Sequence, residues 1–314
     1  MTTTGPPAPF GATNCPLITP FDDAGTDTDG GEGEGGIDTE ALAGLVDALV
    51  ERGLDGLVPC GTTGEFASLS PEEYRLVVET TVDAADGRVP VMAGAAATRI
   101  EETLARLETA ADAGADAGLV TLPYFHGANA PAGDERFLRA VAADTPLPIY
   151  CYNIPACVDR EIPPETLERL AAEASISGMK DSSGDFEYFL RVDHRTPEEF
   201  ACFQGYDSFF VPGLATGSAG GINALTNAIP ESFVAAADAA GAGEIERARE
   251  IQTAEITPLF EHCITHGFAP AAKVAAAARG FLGETTVRPP LVDLDADARA
   301  GIEETVASIA TNYE

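Results

Sequence analysis

Arg52-Gly53-Leu54-Asp55-Gly56-Leu57-Val58 and Ala113-Gly114-Ala115-Asp116-Ala117-Gly118-Leu119-Val120 share one pattern, and that pattern decides the fold. In each, a segment of helical period ends at a glycine, which closes a helix at low steric cost, and a short apolar run follows at once. A helix feeding directly into a buried strand is half of a β-α-β unit. Working outward, strands are predicted over 15–19, 56–59, 89–93, 118–122, 148–152, 176–180, 200–204 and 220–224. Segments of helical period lie between them, at 38–51, 71–85, 100–113, 134–143, 164–174, 186–194, 207–216 and 231–239. Eight alternating units predict a closed (β/α)8 TIM barrel of class α/β. After Gly243 the strand signals stop, and helices are expected over 244–266, 269–279 and 296–309, with a loop at 283–290. The expected division is a catalytic barrel over 11–243 and a C-terminal helical extension over 244–314. Residues 22–36 are acidic and glycine-rich with almost no apolar side chains, so a mobile surface loop is expected there.

The chain has 314 residues, of which 45% are hydrophobic, enough for a sizeable core. Fifty-one acidic residues against 18 basic ones give a formal charge of −33. Such a field repels nucleic acid and anionic membrane surfaces, so neither is expected as a partner. Only two of the 18 basic residues are lysines. That balance fits a salt-rich, halophilic cytoplasm, where self-repulsion is screened over about 3 Å at 1 M salt. No apolar run reaches the length of a membrane span, and residues 1–13 have no signal-peptide pattern, so a cytoplasmic protein is expected. Cysteines 15, 60, 151, 157, 202 and 263 lack C-x-x-C spacing and read as reduced thiols. His126, His194, His262 and His266 form no ligand motif, so no metal is expected. No glycine-rich nucleotide loop follows a strand, so no nucleotide cofactor is indicated either.

Chemistry in a parallel barrel sits where strands end. Lys180 ends the run Ile176-Ser177-Gly178-Met179-Lys180, just before the turn Asp181-Ser182-Ser183-Gly184. Burial disfavours an amine's charged form and frees a nucleophilic lone pair, so a lysine here suits Schiff-base formation. Alternation places Ile176, Gly178 and Lys180 on one face, with Gly178 leaving room beside the amine. A lysine snorkelling to the rim is the plainer alternative. The other lysine, Lys273, lies in an alanine-rich helix and reads as an ordinary helix residue. Tyr150-Cys151-Tyr152-Asn153-Ile154-Pro155 closes the neighbouring strand, and Tyr152 at its end could relay protons. A tyrosine capping the core is the bland reading of the same position. Cys60-Gly61-Thr62-Thr63-Gly64-Glu65-Phe66 offers two hydroxyls and several N–H groups suited to a carboxylate, though it also fits a simple turn.

Taken together, Gly-Thr-Thr-Gly-Glu, Tyr-Asn-Ile-Pro and Gly-Met-Lys-Asp-Ser-Ser-Gly-Asp resemble the dihydrodipicolinate synthase / N-acetylneuraminate lyase family over nearly the whole chain. The resemblance implies a class I lyase acting on pyruvate or another 2-oxo acid, in a homo-oligomer that is usually a tetramer. It makes Lys180 the Schiff-base lysine, Tyr152 the proton relay, and Thr62 and Thr63 the carboxylate site, with Thr63 also in the relay. Gly205 and Ile222 match positions near the substrate. Tyr124 matches the first member of a frequent Tyr-Tyr pair whose second member, here Phe125, often crosses a subunit interface.

The departures bear on substrate. The synthase branch carries an arginine where this chain has Cys157, which makes a second carboxylate a poor ligand. Ile154-Pro155-Ala156 with the Lys-Asp-Ser-Ser-Gly-Asp run is more similar to archaeal 2-keto-3-deoxygluconate aldolases, including those taking the 6-phosphate, which yield pyruvate and glyceraldehyde or its phosphate in Entner–Doudoroff sugar breakdown. Arg136 and Arg160 are candidate phosphate ligands. The alternatives are 4-hydroxy-tetrahydrodipicolinate synthase, sialic acid lyase, a sugar-acid dehydratase, and a non-catalytic 2-oxo-acid-binding paralogue.

Overall fold

In the computed structural model, which describes residues 10–22, 35–125 and 130–313, the two glycine junctions do more than end helices. Gly53 and Gly114 sit at φ +86° and +92°, where a side chain would be strained. The aspartate two residues after each glycine then ties a neighbouring strand. Asp55 Oδ2 accepts from Thr13 N (2.9 Å) and Thr13 Oγ1 (2.8 Å), and Asp116 Oδ2 accepts from Val91 N (2.8 Å). The repeated pattern is thus a strand-joining device at the end of the barrel remote from the chemistry.

Eight strands result: β1 Thr13–Cys15, β2 Gly56–Leu57, β3 Met92–Gly94, β4 Ala117–Thr121, β5 Ile149–Asn153, β6 Ile176–Asp181, β7 Ala201–Gln204 and β8 Gly220–Ile222. All pair in parallel in the order β2-β1-β8-β7-β6-β5-β4-β3, and a Leu57–Val91 bridge brings β2 to β3. The predicted TIM barrel is the observed one. β1, β2, β3, β7 and β8 are shorter than expected, β4 and β5 are displaced by one residue, and β6 runs one residue longer; β1 lies early because Thr13 and Asn14 pair with β8 and Asn14 and Cys15 with β2.

Around the barrel run α1 Thr39–Glu51, α2 Pro71–Ala85, α3 Ile100–Asp112, α4 Pro131–Asp144, α5 Pro155–Val158, α6 Pro164–Leu170, α7 Phe186–Arg195, α8 Phe210–Thr216 and α9 Pro230–Gly241. Local sequence sets their starts. Ser70 and Glu73 close a capping box on α2 with Pro71 at its first position, and Asp38 and Asp185 cap α1 and α7. The single turn α5 has too few residues to show a period, so pattern reading misses it.

Beyond Gly243 come α10 Ile245–Ile251, α11 Thr257–His266, α12 Phe268–Ala278 and α13 Ala296–Ala310. The expected helix over 244–266 contains a π-helical turn, Gln252–Ile256. There Gln252 turns inward, its Oε1 accepting from Val211 N at 3.0 Å and its Nε2 donating to Asp207 O at 3.2 Å. Phe210, Phe233, Ile256, Phe260, Val274 and Val306 share one apolar cluster, so the extension and the β7–β8 side of the barrel bury each other.

Of the 22–36 insert, residues 23–34 lie outside the described residues, as does His126. Its base is closed: Phe21 bridges Ile37, and Asp22 N donates to Gly36 O at 2.9 Å. Among the described residues no helix is long and apolar enough to cross a membrane.

Candidate active site

The barrel interior packs Val58, Met92, Leu119, Tyr150, Tyr152, Phe203 and Ile222 into one cluster. Alternation therefore aims Tyr150 and Tyr152 inward, as expected, while Ile149 and Cys151 face the helices. In β6 the expectation fails at one residue. The β5–β6 register shifts between Ile149 and Tyr150, so Ile176 packs outward with Met179, and only Gly178 and Lys180 face in. The space beside Gly178 is not open: a Cβ there would meet the Tyr150 ring at 2.9 Å and the backbone of Ala201. Gly178 serves the packing of Tyr150 rather than a substrate.

At the C-terminal ends of β5 and β6, Tyr152 and Lys180 are register partners. Both are buried, at 5% and 4% exposure, and Lys180 Nζ lies 4.5 Å from the centroid of the Tyr152 ring. The amine turns into the barrel, so the snorkelling alternative does not apply. Ser182, which the sequence did not single out, donates to the Tyr152 hydroxyl at 3.4 Å. Asn153 ties the strand ends, donating to Asp181 Oδ1 at 2.7 Å and accepting from Ile162 N at 2.9 Å. Burial pushes Asp181 up to about 6 against the hydrogen bonds from Asn153 and Ser183.

Gly205, from β7's end, packs against the lysine: a Cβ would stand 2.7 Å from Lys180 Cε. Asp207, two residues on, is fully buried and accepts from Leu225 N (2.9 Å), Asn223 Nδ2 (3.2 Å) and Ala224 N (3.3 Å). Burial pushes it up to about 6, while those bonds and the charge of Lys180 pull it down. Burial likewise pushes Cys15 up to about 12, partly offset by Thr226 and Lys180. The lysine thus lies within electrostatic reach of one buried carboxyl and one buried thiol.

Across the mouth, a narrow recess is lined by Cys60, Gly61, Thr62, Phe66, Gly94, Ala96, Leu119, Thr121 and Tyr152. Thr62 and Tyr152 line it; Thr63, which is buried, and Lys180, against the face of the tyrosine, do not. Ile222 is buried in the same interior cluster as Tyr152. Tyr124 reaches the site through Phe66, whose ring it meets edge-on at 6.2 Å.

Cys157 is the exposed member of the described cysteines. Arg160 is committed elsewhere: its Nε and Nη2 each reach Asp134 at 2.8 Å, and it also donates to Val158 O and Pro123 O. That guanidinium braces the loops after β4 and β5, so it is a poor phosphate ligand. Arg136 is exposed on α4.

Lys273 overturns the sequence expectation. It is not an ordinary helix residue: its side chain and that of Glu65 are both at 0% exposure, with Nζ 2.6 Å from Glu65 Oε1. Burial lowers the amine's pKa and the Glu65 carboxylate raises it back. An alanine-rich helix looks exposed in sequence only because alanine carries no signal about which face is covered.

Fold and mouth together define a (β/α)8 barrel with an interior lysine and tyrosine side by side at its C-terminal end. The Dihydrodipicolinate synthetase family model matches residues 12–309, and the chain belongs to that family. It is an enzyme of the pyruvate-dependent aldolase type of lyase. A 4-hydroxy-tetrahydrodipicolinate synthase of Methanopyrus kandleri is 37% identical over 286 residues, covering 90% of this chain and 91% of the relative. One from Natronomonas pharaonis is 38% identical over 294 residues, covering 93% and 95%. Among solved structures, YagE, a prophage protein of the dihydrodipicolinic acid synthase family from E. coli K12 in complex with pyruvate, superposes with a TM-score of 0.87 at 28% identity, covering 96% of this chain and 99% of that one. The expected nearness to 2-keto-3-deoxygluconate aldolases is not reflected in the names of the two relatives, which are those of synthases.

Proposed function

We propose that Lys180 forms a Schiff base with a 2-oxo acid and that Tyr152 moves the proton at the bond that breaks or forms. The observation that carries this is the interior pairing of the two side chains at adjoining strand ends. Lys180 Nζ adds to C2 and water leaves. The iminium then draws electrons from C3. In the cleavage direction Tyr152 takes the proton of the C4 hydroxyl, the C3–C4 electron pair passes to the iminium, C4 leaves as an aldehyde, and the enamine is protonated at C3 and hydrolysed by water to free pyruvate and the amine. Thr62 and Thr63 hold the 2-oxo acid's carboxylate, Thr63 joins the relay, and Gly205, Ile222 and Tyr124 shape the site. The chemistry calls on no metal.

For the substrate, we read a 2-keto-3-deoxy sugar acid, free or 6-phosphorylated. Support comes from Cys157 standing where the synthase branch has an arginine, with Arg160 held by Asp134 rather than free to replace it. The second reading is 4-hydroxy-tetrahydrodipicolinate synthase, and the relatives' names weigh more for it than for the sugar acid. A cytoplasmic homotetramer belongs to either reading by family analogy; Phe125, 92% exposed, stands at the position that crosses subunits in relatives. The deciding experiment is a parallel assay at molar salt of cleavage of 2-keto-3-deoxygluconate and its 6-phosphate and of condensation of pyruvate with aspartate semialdehyde. The sugar-acid reading fails if kcat/KM for the condensation is the largest of the three.

A further inference from the structure

The loop Gly61-Thr62-Thr63-Gly64 is bracketed by two residues other than glycine in the left-handed region, Cys60 (φ 56°) and Glu65 (φ 55°). A non-glycine residue stays there only when its surroundings hold it. For Glu65 those surroundings are visible. Its carboxylate is fully buried, paired with Lys273 Nζ at 2.6 Å, and accepts from Arg288 N at 2.9 Å. Lys273, on α12, also donates to Thr286 O at 2.7 Å and lies 4.1 Å from the Phe21 ring centroid. Arg288 forks onto Glu73 (2.5 and 2.9 Å) and reaches Ser68 O and Gly35 O. On the loop's other side, Thr19 Oγ1 donates to Gly64 O at 2.7 Å.

Two physical consequences follow. Glu65 is held at both oxygens by groups from the C-terminal extension, so the pitch of Thr62 and Thr63 is set by the extension and not by the barrel alone. A bare carboxylate at the foot of a carboxylate-binding loop would also repel the ligand. Two cations, Lys273 and Arg288, and two anions, Glu65 and Glu73, make this cluster neutral.

We propose that Glu65 and Lys273 are positioning residues for 2-oxo acid binding: a buried, charge-balanced brace by which the C-terminal extension fixes the Thr62–Thr63 loop. This rests on the reading of that loop as the carboxylate site. Neither side chain touches the reacting atoms, so the brace governs binding more than turnover.

The test compares Glu65→Gln/Lys273→Met with the wild-type enzyme at molar salt. Removing both charges avoids stranding one of them in the interior. Expected are a KM for the 2-oxo acid raised about tenfold or more, any fall in kcat through Thr63 being smaller than that rise, and faster amide exchange over residues 61–66. Lys273→Met alone leaves the Glu65 charge uncompensated by its amine and raises KM further than the double variant. A folded double variant with unchanged KM and unchanged exchange overturns the proposal, as does a loss of kcat at constant KM. Borohydride trapping of pyruvate on the wild-type enzyme separates the two failures. If no adduct forms, the functional reading falls, and the exchange measurement alone decides the brace.

Discussion

Lys180 and Tyr152 face each other across the β5–β6 ladder with the amine 4.5 Å from the centre of the phenol ring. The contact places the proposed nucleophile and the proposed proton carrier on one wall of the barrel. Borohydride reduction with pyruvate should fix a pyruvyl adduct on Lys180, and Lys180→Ala should abolish it. Tyr152→Phe should still form the adduct while kcat drops by roughly 10²–10⁴, the usual weight of general acid–base catalysis. Mass spectrometry on the two variants checks the adducts and a steady-state assay the fall in kcat, and an adduct retained by Lys180→Ala would falsify the assignment.

Gly205 is required by the lysine's own chain. An alanine Cβ would stand 2.7 Å from Lys180 Cε, closer still to Ser182 Oγ and 2.9 Å from Asp181 O, so the lysine, the serine or β7's end must shift. Gly205→Ala should slow adduct formation at least tenfold while costing about 1–3 kcal/mol of stability, the range for overpacking. Stopped trapping time courses alongside urea melts distinguish the two effects; an unaltered trapping rate would show that the amine's position is not critical.

Asp207 links pH to stability. Its folded value is raised to about 6 from 3.8, so the native state holds that proton more tightly than the unfolded chain does. The contribution is fully present below pH 3.8 and is lost as pH rises through 6. At about 1.4 kcal/mol per unit it amounts to about 3 kcal/mol. Asp207→Asn lacks this slope, so its stability relative to wild type should rise between pH 4 and 7. Urea unfolding across that range measures it, and a constant difference would count against a raised Asp207.

The charge of −33 should make the fold depend on salt. Many Arg–Glu pairs on the described surface, such as Arg75–Glu79 and Arg249–Glu246, are exposed and worth little individually, so they do not offset the excess of carboxylates. Tm should fall steeply between molar and millimolar KCl. A melting temperature indifferent to salt would remove the halophilic reading.

Much of the fold and part of the site could be read in the chain itself. The glycine junctions at 53 and 114, the strand–helix alternation and the stop after Gly243 all act through nearest neighbours along the backbone, which is why pattern reading finds them. Lys180 and Tyr152 were legible for a related reason: consecutive strands of a parallel barrel adjoin, so two strand-end residues must meet. Side-chain fit between elements, even neighbouring ones, was not legible. The Ile176 register shift, the packing of Gly205 on Lys180, the Ser182–Tyr152 hydrogen bond and the commitment of Arg160 to Asp134 are set by side-chain fit between elements. Lys273 is the clearest case. In sequence it is a lone charge among alanines; in the structure it is buried against Glu65. Burial of a charge is settled by its partner, and that partner comes from a loop brought near only when the C-terminal helices close over the barrel.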